Sequence, residues 1–203
     1  MDFLKKPSLN KVSFHCIFIL TVYVILVIIR LPILVNADFF LGADESAIAN
    51  GTADLLRGGQ FSFYHENMSY AGTVNGWITA LFFWFFGVNA LVFKLPAVLF
   101  YTLYIWSFFL IVMGSNKKVA WVSVVLLVLC PPQILFLTTL NFPAFLAAFI
   151  GNVAFLIFFS NRKNPSSVKV FCINFLLGFS LYIYTYSIIY MAVLIILWVI
   201  DAK

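Results

Sequence analysis

Long apolar runs, separated by short basic turns and one polar stretch, constrain this chain more than any other feature. Residues 13–29 are almost continuously apolar, 90–113 are long enough to cross a bilayer, and 119–160 amount to two crossings. Residues 170–200 form a last run that is long for one helix and short for two. A 203-residue globule cannot bury such runs, because 64% of the residues are apolar and only 9% are charged, against about 25% charged in soluble domains. The pattern excludes a soluble enzyme, a disordered segment and a nucleic-acid-binding module.

These runs predict an all-α fold, a polytopic bundle of about five to six transmembrane helices in a single membrane domain, 1–203. The first helix is predicted at 13–35 and is interpreted as uncleaved, since no small-residue cleavage site follows the apolar run before Arg30. The 119–160 run is expected to break near 141–143. Segment 76–86 is too short to cross about 30 Å of hydrocarbon, so it is expected to be an interfacial helix in the outer loop.

Basic residues predict how these helices are oriented. Polar loop 37–73 carries one basic residue, Arg57, against five acids. Eight other basic residues fall at the opposite side of the membrane if segment 76–86 does not cross: Lys5, Lys6, Lys11, Lys117, Lys118, Arg162, Lys163 and Lys169. Cytoplasmic loops are enriched in Lys and Arg, which predicts a multi-pass protein of the cytoplasmic membrane with a cytoplasmic N-terminus and an external 37–73 loop. The net charge of +5 therefore reports orientation, and membrane lipids rather than nucleic acid are the expected surroundings.

The acidic loop contains one predicted helix, 45–57. Asp44 is a candidate N-cap, Glu45 lies in the first turn, Arg57 lies in the last turn, and Gly58-Gly59 end the helix. Asp54, three residues before Arg57, is expected to form a surface ion pair with it. Two interpretations of the Asp44-Glu45 pair stay open at this point, simple helix capping and a catalytic site.

Five further features follow one another in a recognisable order. They are Arg30 at the end of the first helix with Ala-Asp-Glu-Ser-Ala-Ile-Ala at 43–49, the loop 61–77 that leads into an aromatic helix, Leu-Phe-Phe-Trp-Phe-Phe-Gly at 81–87 with Lys-Leu-Pro at 94–96, Cys-Pro-Pro-Gln at 130–133, and the aromatic, hydroxyl-rich segment 178–187. The order resembles that of polytopic glycosyltransferases of the GT-C fold, nearest to the family-39-like branch, with Lys94 where the family usually has Arg. The resemblance covers most of the chain.

The resemblance implies a membrane glycosyltransferase that moves a sugar from a polyprenyl-phosphate donor to a glycan, lipid or protein acceptor at the outer face. It implies that Asp44 acts as general base or as ligand of a divalent metal ion, with Glu45 beside it. The candidate substrate-binding residues around this pair are Arg30, Arg57, His65, Glu66 and Tyr70. Members of the family are more than twice this length, so the chain is expected to be the N-terminal portion of such an enzyme, and activity is expected of the longer protein.

The chemistry of sugar transfer agrees with the position of the acids. Transfer to a hydroxyl needs a carboxylate within hydrogen-bond reach of the acceptor proton, and the leaving lipid phosphate needs a cation or a metal ion. The alternative is a non-catalytic polytopic membrane protein, such as a transporter or a flippase-like accessory subunit. Such proteins place ionisable residues near the bilayer midplane, whereas the acids of this chain gather in one loop.

Overall fold

The computed structural model describes residues 9–59, 62–65, 68–163 and 166–201. Within them the chain forms nine α-helices: α1 Leu9–Val35, α2 Ala43–Leu56, α3 Val74–Phe86, α4 Ala90–Met113, α5 Lys117–Val128, α6 Pro132–Leu137, α7 Ala144–Lys163, α8 Ser167–Ile183 and α9 Ile188–Asp201. Two strands, β1 Tyr64–His65 and β2 Met68–Gly72, form an antiparallel hairpin. The predicted all-α class is confirmed, and the hairpin is an addition that the sequence did not predict.

Three of the described helices are long and apolar enough to cross a membrane, and three shorter apolar helices accompany them. The long ones are Val12–Val35, Ala90–Met113 and Ala144–Arg162. The shorter ones are Val74–Phe86, Ser167–Ile183 and Thr185–Ile200. Exposed aliphatic and aromatic side chains cover most of their outward faces, as expected when lipid rather than water is the neighbour.

The apolar runs break where the backbone chemistry requires it. Run 119–160 breaks first after α5, ahead of Pro131 and Pro132, because proline lacks the N–H that would continue a helix. It breaks again between α6 and α7, which confirms the break expected near 141–143. The last run divides into α8 and α9 at Tyr184, whose backbone is extended at φ −156 and ψ 118.

Side-chain contacts fix the directions of the main helices. The start of α1 meets the end of α4, α7 runs in the same direction as α4, and α8 returns against α7. The contacts that show this are Phe18 with Phe109, Arg30 with Tyr101, Phe145 with Tyr101, Asn152 with Ser107, and Ser180 with Ala147. The turns that carry Lys117, Lys118 and Arg162 therefore lie at the same end of the bundle as the start of α1. We call this the basic end, and the opposite end, which carries α2, the hairpin and α3, the loop end.

At the loop end, the hairpin is fixed against the end of α8. Ala71 forms an isolated antiparallel bridge with Tyr184, and the Tyr182 hydroxyl donates to the Phe63 carbonyl at 2.7 Å. A Cβ at Gly72 would come within 2.8 Å of Tyr182, so a side chain there would force the hairpin away. Helix α3 follows directly and ends at Gly87, whose φ of +82 favours glycine. The loop is thus a folded layer attached to the bundle.

Candidate active site

A buried ion pair joins α2 to α4 at the loop end. The Lys94 Nζ donates to both carboxylate oxygens of Glu45 at 3.0 Å, and the two side chains are 0% and 1% exposed. The Asn141 backbone N–H also donates to Glu45 Oε1, at 2.9 Å. The Glu45 carboxylate is therefore bonded to protein donors and shielded from a substrate, while the pair sets the position of α2 on α4.

Asn141 extends this pair into a polar network that reaches four segments of the chain. Its side-chain amide donates to Thr79 Oγ1 at 2.9 Å and to the Phe93 carbonyl at 2.7 Å. Its backbone carbonyl accepts from Asn75 Nδ2 at 2.9 Å. Because these groups are completely buried, each bond that it forms removes a desolvation penalty, and the bonds hold α2, α3 and α4 in one relative position. The sequence suggested only a helix break at Asn141.

Arg30 lies on the other side of the same short connection between α6 and α7. Its guanidinium is 0% exposed, donates to Thr138 Oγ1 at 2.9 and 2.6 Å, and stacks over the Tyr101 ring at 5.2 Å. Cys130 Sγ and the Leu26 carbonyl are its remaining partners, and among the described residues no carboxylate pairs with it. Arg30 does not extend to the headgroups as an exposed cation would. Residues 138–141 hold Arg30 at one end and Glu45 at the other.

We expect that replacing Arg30 with methionine leaves the free energy of unfolding unchanged or raises it by up to about 3 kcal/mol, the cost of an Arg within a span. Methionine fills a similar volume, and the Thr138 hydroxyl keeps its bond to the Leu135 carbonyl. Unfolding by detergent titration would measure the change. Leu26→Ala, one turn earlier and equally buried, is the control and should lower stability by about 2–5 kcal/mol. A loss above about 1 kcal/mol for Arg30→Met would show that its bonds to Thr138 stabilise the fold.

Asp44 differs from its neighbour Glu45 in being exposed. The prediction that it caps the helix is wrong, because α2 begins after Gly42 and no side chain caps it. Asp44 instead lies in the first turn, and at helical spacing it shares one face with Ala47, Gly51 and Asp54. Those three residues line a cavity of about 680 Å³ between α2, the hairpin and the start of α3. The Asp44 carboxylate therefore lies one turn from this cavity, on the same face of α2.

The other predicted site residues are spread around this layer. Arg57 lines the far end of the cavity and pairs with Asp54 at 3.4 Å, as predicted, with both side chains well exposed. Tyr70 is 40% exposed and its ring meets Tyr184 edge-on at 6.2 Å. Tyr184 lies between α8 and α9. Its pKa is raised mainly by burial and also by the nearby Tyr186 and Tyr70, so this phenol stays neutral.

Two of the predicted residues lie where side-chain geometry is not described. His65 belongs to β1 and pairs with Met68 through the backbone. Glu66 lies outside the described residues.

Comparison with protein-family models, with curated proteins and with solved structures finds no match. What the chain does must therefore be argued from its residues and their geometry.

A divalent metal ion would need more than the Asp44 carboxylate. Among the described residues, no three His, Cys, Asp or Glu side chains are close enough to hold one ion. The adjacent carboxylate, that of Glu45, is occupied by Lys94 and Asn141. The described residues therefore do not complete a metal site around Asp44.

Proposed function

We propose that this protein is a membrane glycosyltransferase, or the N-terminal portion of one, that takes a sugar from a polyprenyl-phosphate donor. The observation that carries the proposal is the contrast between the two acids of the pair. Glu45 is buried against Lys94, and this holds the first turn of α2 in place, while Asp44 is exposed on the face that leads into the cavity. A fixed, solvent-accessible carboxylate beside a cavity is what a general base requires.

In this proposal the acceptor lies along α2. The cavity of about 680 Å³ is within the usual range of about 300–1,000 Å³ for ligand sites. Asp44 takes the proton of the attacking hydroxyl, while the distal part of the acceptor reaches Tyr64 and Arg57. Arg57 is thirteen residues from Asp44, which at about 1.5 Å per residue places it about 20 Å away. That distance is too long for Arg57 to neutralise the phosphate that leaves at Asp44.

We assign the donor phosphate to Arg30, whose buried guanidinium must first exchange its bonds to Thr138 for bonds to the anion. Lys94 is bonded to Glu45 and Arg57 to Asp54, whereas Arg30 has only a hydroxyl, a carbonyl, a thiol and an aromatic ring as partners among the described residues. An anion would offer its guanidinium stronger, charge-assisted bonds than these neutral groups. Arg30→Met should then weaken transfer while leaving stability intact, the combination that separates a substrate-binding residue from a structural one.

The proposed topology has five crossings, with α9 as a sixth. Helices α5 and α6 together span residues 117–137 and count as one broken crossing, and α8 and α9 cross in opposite directions. The basic end is placed in the cytoplasm because Lys and Arg are retained there. Helix α3 is only 13 residues long, so it is placed at the outer interface without crossing.

This topology predicts opposite labelling of two exposed serines. In a background from which Cys16, Cys130 and Cys172 have been removed, a cysteine at Ser62 should react with a membrane-impermeant thiol reagent applied to intact cells. A cysteine at Ser115 should react only after the membrane is opened. The two positions are exposed at the loop end and the basic end respectively, so accessibility of the side chain is matched. Labelling of Ser115 but not Ser62 from outside would invert the whole arrangement.

The enzymatic proposal is tested by incubating membranes that contain the product of the complete reading frame with a radiolabelled polyprenyl-phosphate sugar. Transfer of label out of the donor lipid, absent from membranes without the protein, supports it. The alternative, a flippase-like or transport protein, is favoured by the uncompensated Arg30 within α1 and by the broken helices α5 and α6. Movement of the intact lipid-linked sugar between leaflets of proteoliposomes, without transfer, would select that alternative.

A further inference from the structure

A second cavity, unrelated to the one along α2, lies between α1 and α5 in the half of the bundle nearest the basic end. It is a groove of about 450 Å³ with an almost entirely apolar lining. The side chains that define its length are Phe14, Ile17 and Ile25 on α1, with Trp121 and Val125 on α5 and Leu129 directly after it. Trp121 packs on Phe18 and Phe109, which places the tryptophan at the start of the groove.

The dimensions of the groove match one hydrocarbon chain. From Phe14 to Ile25 helix α1 rises about 17 Å at about 1.5 Å per residue, close to the roughly 15 Å of one leaflet of a bilayer core. Spread over that length, 450 Å³ gives a cross-section of about 27 Å². A groove of this length and volume can hold a single extended hydrocarbon chain.

Two basic side chains lie at the start of this groove. Lys117 and Lys118 are exposed in the first turn of α5, and neither forms an ion pair with a described residue. Trp121 lies four and three residues after them, so both lysines share its side of the helix. At the other end of the groove, Arg30 is fully buried and already bonded to Thr138 and Cys130. Among Lys117, Lys118 and Arg30, exposed positive charge is therefore found where the groove meets Lys117 and Lys118.

From this arrangement we infer that the groove between α1 and α5 is a binding site for an anionic membrane phospholipid. One acyl chain lies between the two helices, and the headgroup phosphate is held by Lys117 and Lys118. Basic pockets between transmembrane helices at the cytoplasmic side recognise anionic headgroups in this way. Trp121, at the polar–apolar boundary, packs against the first carbons of the chain, as aromatic residues do at membrane interfaces. The inference does not depend on the glycosyltransferase proposal.

The test uses the whole chain in bilayers that contain brominated lipids. Bromine quenches the fluorescence of a tryptophan that it contacts. The difference in quenching between the unaltered protein and a Trp121→Phe variant therefore measures contact of lipid with Trp121 in the groove. Brominated phosphatidylglycerol should quench Trp121 more strongly than brominated phosphatidylcholine, with a ratio of association constants of about fivefold per lysine at low ionic strength. Salt should reduce this ratio, because the lysines are exposed.

Three variants separate headgroup recognition from general contact with lipid. The K117Q/K118Q variant should bring the ratio close to one. The control R162Q/K169Q removes the same charge at the same end of the bundle, away from the groove, and should leave the ratio unchanged. Thr21→Phe adds a ring to the groove lining and should reduce quenching by both lipids.

Three results would overturn the inference. The first is equal quenching by the two lipids in the unaltered protein. The second is a preference for brominated phosphatidylglycerol that persists in K117Q/K118Q. The third is protection of Trp121 from both lipids that disappears when the protein is diluted in the bilayer. The last would show a second copy of the chain covering the groove.

Discussion

Replacing Lys94 with methionine is expected to lower the free energy of unfolding by about 3–5 kcal/mol, the usual effect of removing one partner of a buried ion pair. The variant leaves the Glu45 carboxylate inside the protein with the Asn141 backbone N–H as its one remaining described donor. Water cannot compensate, because Glu45 is 1% exposed. Titration of the purified protein with denaturing detergent, followed by tryptophan fluorescence, would measure the loss.

Two comparisons make this result interpretable. The E45Q/K94M double variant removes both charges and keeps an acceptor for the Asn141 N–H, so it should recover at least half of the lost stability. Asp54→Asn breaks the exposed pair with Arg57 and should change stability by only about 0–1 kcal/mol. If Lys94→Met were as mild as Asp54→Asn, the pair would not be holding α2 on α4, and the fixed position of Asp44 would lose its explanation.

Asp44→Asn is expected to reduce sugar transfer by about 10²–10⁴-fold, the typical contribution of a general base. Asn keeps the shape of the side chain but cannot accept the hydroxyl proton. Since α2 begins after Gly42 without a side-chain cap, and Asp44 is exposed, the substitution should leave the unfolding transition almost unchanged. The assay follows label leaving a polyprenyl-phosphate sugar in membranes that contain the complete gene product.

Asp38→Asn is the matched control for this experiment. Asp38 is an exposed acid of the same loop, in the 3-10 turn Ala37–Phe40 before α2, and it does not lie on the helix face that leads to the cavity. It should retain nearly full transfer. Full activity of Asp44→Asn would remove the proposed base, and equal losses in both variants would indicate a general effect of loop charge on the substrate.

Local signals in the sequence were enough to place most helices. Gly58-Gly59 and the short length of segment 76–86 were enough to predict α2 and α3, and the break before α7 was expected near 141–143. The earlier break at Pro131-Pro132 was not predicted, although proline ends a helix for a local reason. The hairpin was missed, because its strands are two and five residues long and it is held by Tyr182 and Tyr184, more than a hundred residues further along. No local sequence pattern indicates such a long-range contact.

The candidate site was predicted less completely for the same reason. The Asp-Glu pair could be found as two acids at the start of a helix, but its division into one exposed and one buried carboxylate could not. That division depends on Lys94 and Asn141, which are 49 and 96 residues away from Glu45. Lys94 stood out in the sequence only as a lysine where the glycosyltransferases that the sequence resembles usually have arginine. A charged residue in an apolar helix was the one available signal that Glu45 needed a partner.

The sequence separation of these partners also sets an order of events during synthesis. At about 5–20 residues per second, Lys94 emerges about 2–10 s after Glu45, and Asn141 about 5–19 s after it. Until then the acidic helix lacks the groups that hold it, and its carboxylate is still hydrated. The loop layer can close only when α4 has been inserted and the connection after α6 has arrived. A chain truncated before Asn141 should therefore expose α2 to protease, and one that extends through α8 should protect it.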